Sequence, residues 1–138
     1  MNSSFFDRLA PSMHWALRIA LGSVFLYHGI TKFPVLSGMA EMMGMPVFVV
    51  GLLAAVETLA GALIVLGDWL PAWTTRLGGA LIVPVMLGAI FMVHLPNGWN
   101  SVSMDQGMEF QFTLLMIALY FLFVGNLKPG SGSAETES

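Results

Sequence analysis

The sequence predicts an all-α membrane protein: four transmembrane helices in an up-down bundle, with both termini in the cytoplasm. Three observations carry this expectation. Hydrophobic residues make up 57% of the 138-residue chain and charged residues 9%, where an ordinary soluble domain has about a quarter charged. A chain this short buries only about two-thirds of the surface it exposes unfolded, too little to hide so much apolar area from water, and the mean hydropathy of +0.80 agrees. Apolar runs of spanning length occur four times, and all four tryptophans (Trp15, Trp69, Trp73 and Trp99) fall at their ends, as an interfacial aromatic belt requires.

Taken in order, the first span covers residues 14–33. Arg8 precedes it as in a signal peptide, but Arg18 interrupts its apolar core and no small-residue cleavage site follows, so it is read as an uncleaved helix. The second span covers 46–67. The third covers 75–95, and Pro84 near its middle is expected to kink it. The fourth covers 109–125. The connections 34–45, 68–74 and 96–108 are each opened or closed by Pro, Gly, Asn or Asp. Residues 1–128 thus form one membrane domain, and the Gly/Ser/Glu-rich stretch 129–138 reads as a disordered tail. An even number of spans puts both termini on one side. Arg8, Arg18, Arg76 and Lys128 lie on that side and only Lys32 on the other, which makes the terminal side cytoplasmic by the positive-inside bias.

Composition excludes other classes. Five Lys+Arg against eight Asp+Glu leave no basic surface for nucleic acid. The absence of cysteine excludes disulfides, thiolate metal sites and a cysteine nucleophile in this chain.

Ionisable groups at bilayer depth are costly and usually face the bundle interior or a cavity. On the first span Arg18, Gly22, Phe25, Gly29 and Lys32 follow steps of 4, 3, 4 and 3, with His28 beside them: one face of a helix. On the second, Ala54 and Gly61 flank Glu57 at i−3 and i+4, small residues that let a neighbouring backbone approach. Arg76 and His94 stand five α-helical turns apart on the third. The fourth carries Glu109, Thr113, Met116 and Tyr120 at steps of 4, 3 and 4. At about 1.5 Å per residue, Lys32, His94 and Glu109 fall about 12–14 Å from the midplane toward the outer face, and Glu57 near the midplane. An outward-opening pocket lined by His28, Lys32, His94 and Glu109, with Glu57 as its floor, is expected. Arg18 lies deeper toward the cytoplasm, where it can pair with Glu57 and fix helix register.

At these residues the sequence resembles the DoxX family. Leu17-Arg18, Gly22, Phe25, His28-Gly29 and Lys32-Phe33 look like the family's opening signature, Glu57…Gly61…Gly67 resembles its second-helix stretch, and His94 and Gly107-Met108-Glu109 also fit. The likeness covers residues 15–125. Residues 128–132 (Lys-Pro-Gly-Ser-Gly) depart from the family's usual ending. The resemblance implies a small four-span protein of the bacterial cytoplasmic membrane. It also implies a link to quinone reduction, as in subunits of thiosulfate:quinone oxidoreductase, or to membrane complexes handling thiol and oxidative stress.

The resulting expectation is a membrane subunit that binds quinone or quinol. His28, Glu57 and His94 would be the proton-handling groups, and Arg18, Lys32, Glu109 and Tyr120 would contribute to binding. Electrons would come from a protein partner, and homo-oligomers are compatible with this reading. Histidine suits proton exchange near neutral pH. Three readings compete: an anchor or assembly partner whose polar stripes only hold helices together, a b-haem held by His28 and His94, and a small-solute or proton carrier, which no internal repeat supports. The methionines Met39, Met42, Met43 and Met45 read as an interfacial amphipathic helix, with a copper(I) patch as the sharper alternative.

Overall fold

The structure, a computed structural model, describes residues 3–101 and 106–126. The expected disordered tail lies outside the described residues, as does Lys128. Six α-helices occur among those described: α1 (Ser3–Leu9), α2 (His14–Lys32), α3 (Leu36–Met43), α4 (Val47–Leu66), α5 (Ala72–Ala89) and α6 (Glu109–Val124). Prolines set several boundaries. Pro46 and Pro71 stand in extended backbone just before α4 and α5, where a missing N–H costs nothing and the fixed φ starts a helix cleanly. Gly44 and Gly125, both at positive φ, end α3 and α6. Pro84 sits inside α5 without interrupting it. The chain then widens into a π-helical turn over Ile90–His94 before a 3₁₀ turn at Leu95–Asn97.

The number of spans differs from the sequence expectation. Among the described residues three helical stretches are long and apolar enough to cross a membrane: Phe5–Met43, Val47–Trp69 and Ala72–Asn97. The first is broken into α1, α2 and α3 by short 3₁₀ turns at Pro11 and Pro34. The fourth helix is apolar but has only 16 residues, about 24 Å of rise against a hydrocarbon core of about 30 Å. Its start is set by loop pairing, not by hydropathy: Gly107, Met108 and Glu109 donate their N–H groups to Asn100, Gly98 and Trp99. The expectation of four spans is therefore corrected to three, and the even-number argument that placed both termini in the cytoplasm falls with it.

The helices still pack as a bundle. α4 lies between α2 and α5, and α6 lies against α5, while α2 and α6 barely touch. The interior face of α2 is the one the spacing predicts: Arg18, Leu21, Gly22, Phe25, Gly29 and Lys32 are buried. On α4 the buried residues Val50, Ala54, Glu57, Gly61 and Ile64 keep the same 3–4 rhythm. Small residues bring these two backbones together, since a Cβ on Gly61 would meet the Leu26 N–H at 2.7 Å and the Gly22 carbonyl at 3.0 Å. Leu21, Phe25, Ile64, Ile82, Ala118 and Phe121 fill the centre. Outward-facing apolar side chains such as Phe48, Leu52, Phe91 and Phe123 are more than half exposed. A bundle that is apolar outside as well as inside needs lipid as its solvent.

α6 corrects the expected polar stripe. Its buried positions are Leu114, Leu115, Ala118 and Phe121, whereas Thr113 and Met116 are exposed. The side that enters the bundle is Gln111, Leu114, Ala118, Phe121 and Gly125, again at steps of 3 and 4. The polar residue this face carries is Gln111.

Candidate functional site

Polar groups gather at two levels of the bundle. Near the start of α2 and the end of α6, Arg18 is fully buried. Its Nη1 donates to the Ile64 carbonyl at 2.5 Å and to Thr75 Oγ1 at 3.1 Å, and its Nη2 donates to Asn126 Oδ1 at 2.8 Å. Asp68 lies 3.5 Å from Nη2 and also bonds His14. The guanidinium stands 5.0 Å from the Phe121 ring centroid. Asn126 in turn donates to the Gly67 and Leu70 carbonyls. This knot ties α2, α4, α5 and the end of α6 together, and the planar five-donor fork of arginine suits it. Arg18 therefore acts on helix register, as one reading expected, but through backbone and amide groups and not through Glu57.

Two turns further along α2 a partly open cavity of about 160 Å³ lies among the four long helices. Its polar walls are His28 from α2, Glu57 from α4, His94 from the π turn and Gln111 from α6. Val24, Phe25, Met86, Ala89, Phe110 and Leu114 supply the apolar remainder. Exposed His28 and Phe110 flank it on the side where α2 and α6 barely touch. Three expected residues are thus brought together: His28, Glu57 and His94.

Lys32 stands behind the wall. Its Nζ donates to Glu57 Oε2 at 2.5 Å and to the His28 carbonyl at 3.1 Å. Glu57 and Lys32 are 6% and 9% exposed, so each ion loses most of its hydration and the partner replaces it. The second Glu57 oxygen makes no hydrogen bond among the described residues.

His94 is oriented from outside the helix. Its Nδ1 lies 2.6 Å from the Gln106 carbonyl. A carbonyl only accepts, so Nδ1 carries the hydrogen, and the neutral ring offers Nε2 as an acceptor. Gln106 reaches this position at φ +50°, the one non-glycine residue at positive φ among those described, a conformation that costs free energy for a side chain with a Cβ. The π turn also sets the ring's direction. An i→i+5 turn uses one residue more than an α turn, which rotates His94 by about 100° from the face that a straight helix would share with Arg76. Arg76 itself is exposed and lies against Gly125.

Two expected binding residues stand elsewhere. The Glu109 carboxylate accepts from Ser101 N and Oγ at 3.0 and 2.9 Å and so braces the loop before α6. Tyr120 is half-buried beside Phe121, outside the cavity lining. Gln111 escaped the sequence reading, although its 3–4 spacing from Leu114, Ala118 and Phe121 was the available signal. Its Oε1 is buried and has no hydrogen-bond partner among the described residues. No group of three or more His, Cys, Asp or Glu suited to a metal occurs among the described residues.

Together the fold and the cavity define a multi-pass helical membrane protein with a polar pocket built into one end of its bundle. The DoxX family model matches residues 14–95, more than half of the chain, and the chain belongs to that family. The match ends at Leu95, one residue past the π turn, so the likeness read onward to Gly125 goes beyond it. The chain is 28% identical over 113 residues to "Putative oxidoreductase CatD" of Bacillus subtilis (strain 168), an alignment covering 80% of this chain and 77% of that protein. No solved structure matches it.

Proposed function

We propose that this protein is a subunit of a membrane redox complex, seated in a bacterial cytoplasmic membrane, that binds the ring of a quinone or quinol in the cavity between α2 and α6. The observation that carries the reading is the meeting of His28, Glu57 and His94 in an otherwise apolar slot of about 160 Å³. An engineered apolar cavity of about 150 Å³ holds benzene, so one six-membered ring is the right scale. Specific pockets are mostly apolar with a few placed polar groups, and this one has that composition. The oxidoreductase name of the Bacillus relative agrees with redox work.

Reduction of a quinone takes two electrons and two protons. The chain has no cysteine, and its side chains offer no evident electron carrier, so a protein partner would supply the electrons. His28, His94 and Glu57 would exchange protons with the ring oxygens. Lys32 serves by holding Glu57 in place, not by touching the ring. Lipid extracts of protein purified in mild detergent test the reading. Co-purified quinone at near-stoichiometric level, depleted in folded His94→Ala, supports it. Wild-type protein that carries no quinone and does not bind a short-chain benzoquinone refutes it.

The Arg18 knot and the Lys32–Glu57 pair favour a second reading, an anchor whose buried polar groups serve helix assembly alone. Under that reading His94→Ala is silent in every binding or turnover assay.

A further inference from the structure

We propose that Glu109 is a positioning residue for His94: it braces the loop between α5 and α6 so that the Gln106 carbonyl holds the imidazole as its Nδ1–H tautomer, which reserves Nε2 for a ligand. The inference rests on the ring-binding reading above for what His94 does. It deepens that reading by naming what keeps His94 ready.

A neutral imidazole has two tautomers, and the hydrogen bond made by one nitrogen decides which form the other presents. At His94 the deciding partner is one backbone carbonyl, that of Gln106, 2.6 Å from Nδ1. By itself this carbonyl is a poor anchor. Gln106 is exposed, and its φ of +50° is unfavourable for a residue with a Cβ. Such a conformation persists only where the surroundings impose it.

The surroundings are two flanks of one loop laid side by side. The N–H groups of Met108, Glu109 and Gly107 donate to the carbonyls of Gly98, Trp99 and Asn100 at 3.0, 3.0 and 3.2 Å. The flanks cross so closely that a Cβ on Gly107 would meet the Asn100 carbonyl. Gln106 precedes Gly107 on one flank, and Ser101 follows Asn100 on the other. Here the carboxylate takes over: Ser101 donates to Glu109 Oε1 from its N–H at 3.0 Å and from its hydroxyl at 2.9 Å. Both bonds land on one oxygen of the first residue of α6, and bonds to a carboxylate are stronger than neutral ones. The far flank is thereby fixed to the helix whose next residues, Phe110 and Gln111, line the cavity. Glu109 itself does not line it and acts through the loop.

Glu109 has a simpler alternative role, since negative charge at a helix N-terminus is favoured wherever it occurs. That role needs the charge. The brace needs only an acceptor oxygen, which glutamine keeps and leucine lacks.

The test is nitrogen-15 NMR of the histidine-labelled full chain in detergent micelles at about pH 8.5, where an ordinary imidazole is neutral. The His94 signals are those lost in His94→Ala. Wild type is expected to show His94 as the Nδ1–H form. Glu109→Leu is expected to shift the tautomer ratio at least roughly tenfold toward Nε2–H, and Glu109→Gln to stay within about twofold of wild type. Wild-type His94 in the Nε2–H form overturns the proposal. So does a folded Glu109→Leu with the wild-type ratio, or a Glu109→Gln that behaves like Glu109→Leu. Should Glu109→Leu fail to fold, Ser101→Ala decides in its place: removal of one of the two contacts shifts the ratio in the same direction, and an unchanged ratio overturns the brace. Affinity for 1,4-hydroquinone is measured on the same samples, with protein-free micelles as the reference. It is expected to fall roughly five- to tenfold in Glu109→Leu and to stay within about twofold in Glu109→Gln. Unchanged affinity despite a shifted tautomer overturns the reservation of Nε2 for the ligand. Failure of every sample to bind, with the tautomer shift intact, overturns the ring-binding reading and leaves Glu109 assigned to His94.

Discussion

The Lys32–Glu57 pair gives the most demanding prediction, because one pair of atoms ties the cavity wall to the stability of the bundle. At 2.5 Å and an effective dielectric constant of about 20, two unit charges attract by roughly 7 kcal/mol. Desolvation offsets much of this, since both side chains are nearly buried and removing each ion from water costs several kcal/mol. The net value of the intact pair is therefore small, but the cost of breaking it is not. Lys32→Met leaves Glu57 buried against apolar neighbours with no cation, and a loss of about 3–5 kcal/mol is expected. Glu57→Leu strands the ammonium and should cost a similar amount, lessened by whatever relief the flexible lysine finds toward solvent. The double variant Lys32→Met/Glu57→Leu replaces two ions by apolar volume and should recover most of the loss, with a coupling energy of at least about 2 kcal/mol. The assay is SDS titration from mixed micelles followed by far-UV circular dichroism, for wild type, both singles and the double. Additive single losses, with the double variant the least stable of the four, would show that these side chains do not act as a pair and would remove the positioned carboxylate from the cavity wall.

Three further predictions concern separate parts of the molecule. Arg18→Met should destabilise by several kcal/mol, because the Ile64 carbonyl, Thr75 and Asn126 all lose a buried charged donor. Arg18→Lys should recover little of this, since one ammonium cannot span the fork geometry; full recovery of thermal stability would contradict the assigned role. Gly61→Val should lower thermal stability by roughly 1–3 kcal/mol or more and broaden the size-exclusion peak, since the added carbon meets the α2 backbone. A fully stable variant would mean that α2 and α4 do not pack this closely. His94→Ala should cost only about 1 kcal/mol of stability, one hydrogen bond at a half-buried site, yet weaken ring binding roughly tenfold; loss of folding together with binding would make His94 a structural residue.

The comparison between α2 and α6 explains how much the sequence conveyed. On α2 the interior face carries two charges, Arg18 and Lys32, and two glycines beside Leu21 and Phe25, and a charge in hydrocarbon has so few tolerable positions that the 3–4 spacing alone identifies the buried face. On α6 nearly every residue is apolar, so hydropathy cannot choose among faces. The more polar-looking row through Glu109 and Thr113 points away from the interior. Its residues bond locally instead: Thr113 donates to the Glu109 carbonyl one turn back, and the Glu109 carboxylate serves a loop. Gln111, a polar residue between two phenylalanines, enters the bundle because Leu114, Ala118 and Phe121 share its face.

Composition and spacing were enough to name the solvent of this protein and to nominate His28, Glu57 and His94, though together with Lys32 and Glu109, which do not line the cavity. Apolar composition leaves no soluble solution, and His28, Glu57 and His94 fall at compatible depths on helices forced to turn polar groups inward. Tertiary structure decided the rest. Whether Glu57 pairs with Arg18 or Lys32 depends on how two helices slide past each other, and contact between Gly22, Gly29, Ala54, Thr58 and Gly61 sets that offset. The direction of His94 depends on a π turn and a strained Gln106 carbonyl that no residue spacing encodes. Periodicity reports which face of a helix is polar. Register, rotation and length are settled only when another helix is packed against it.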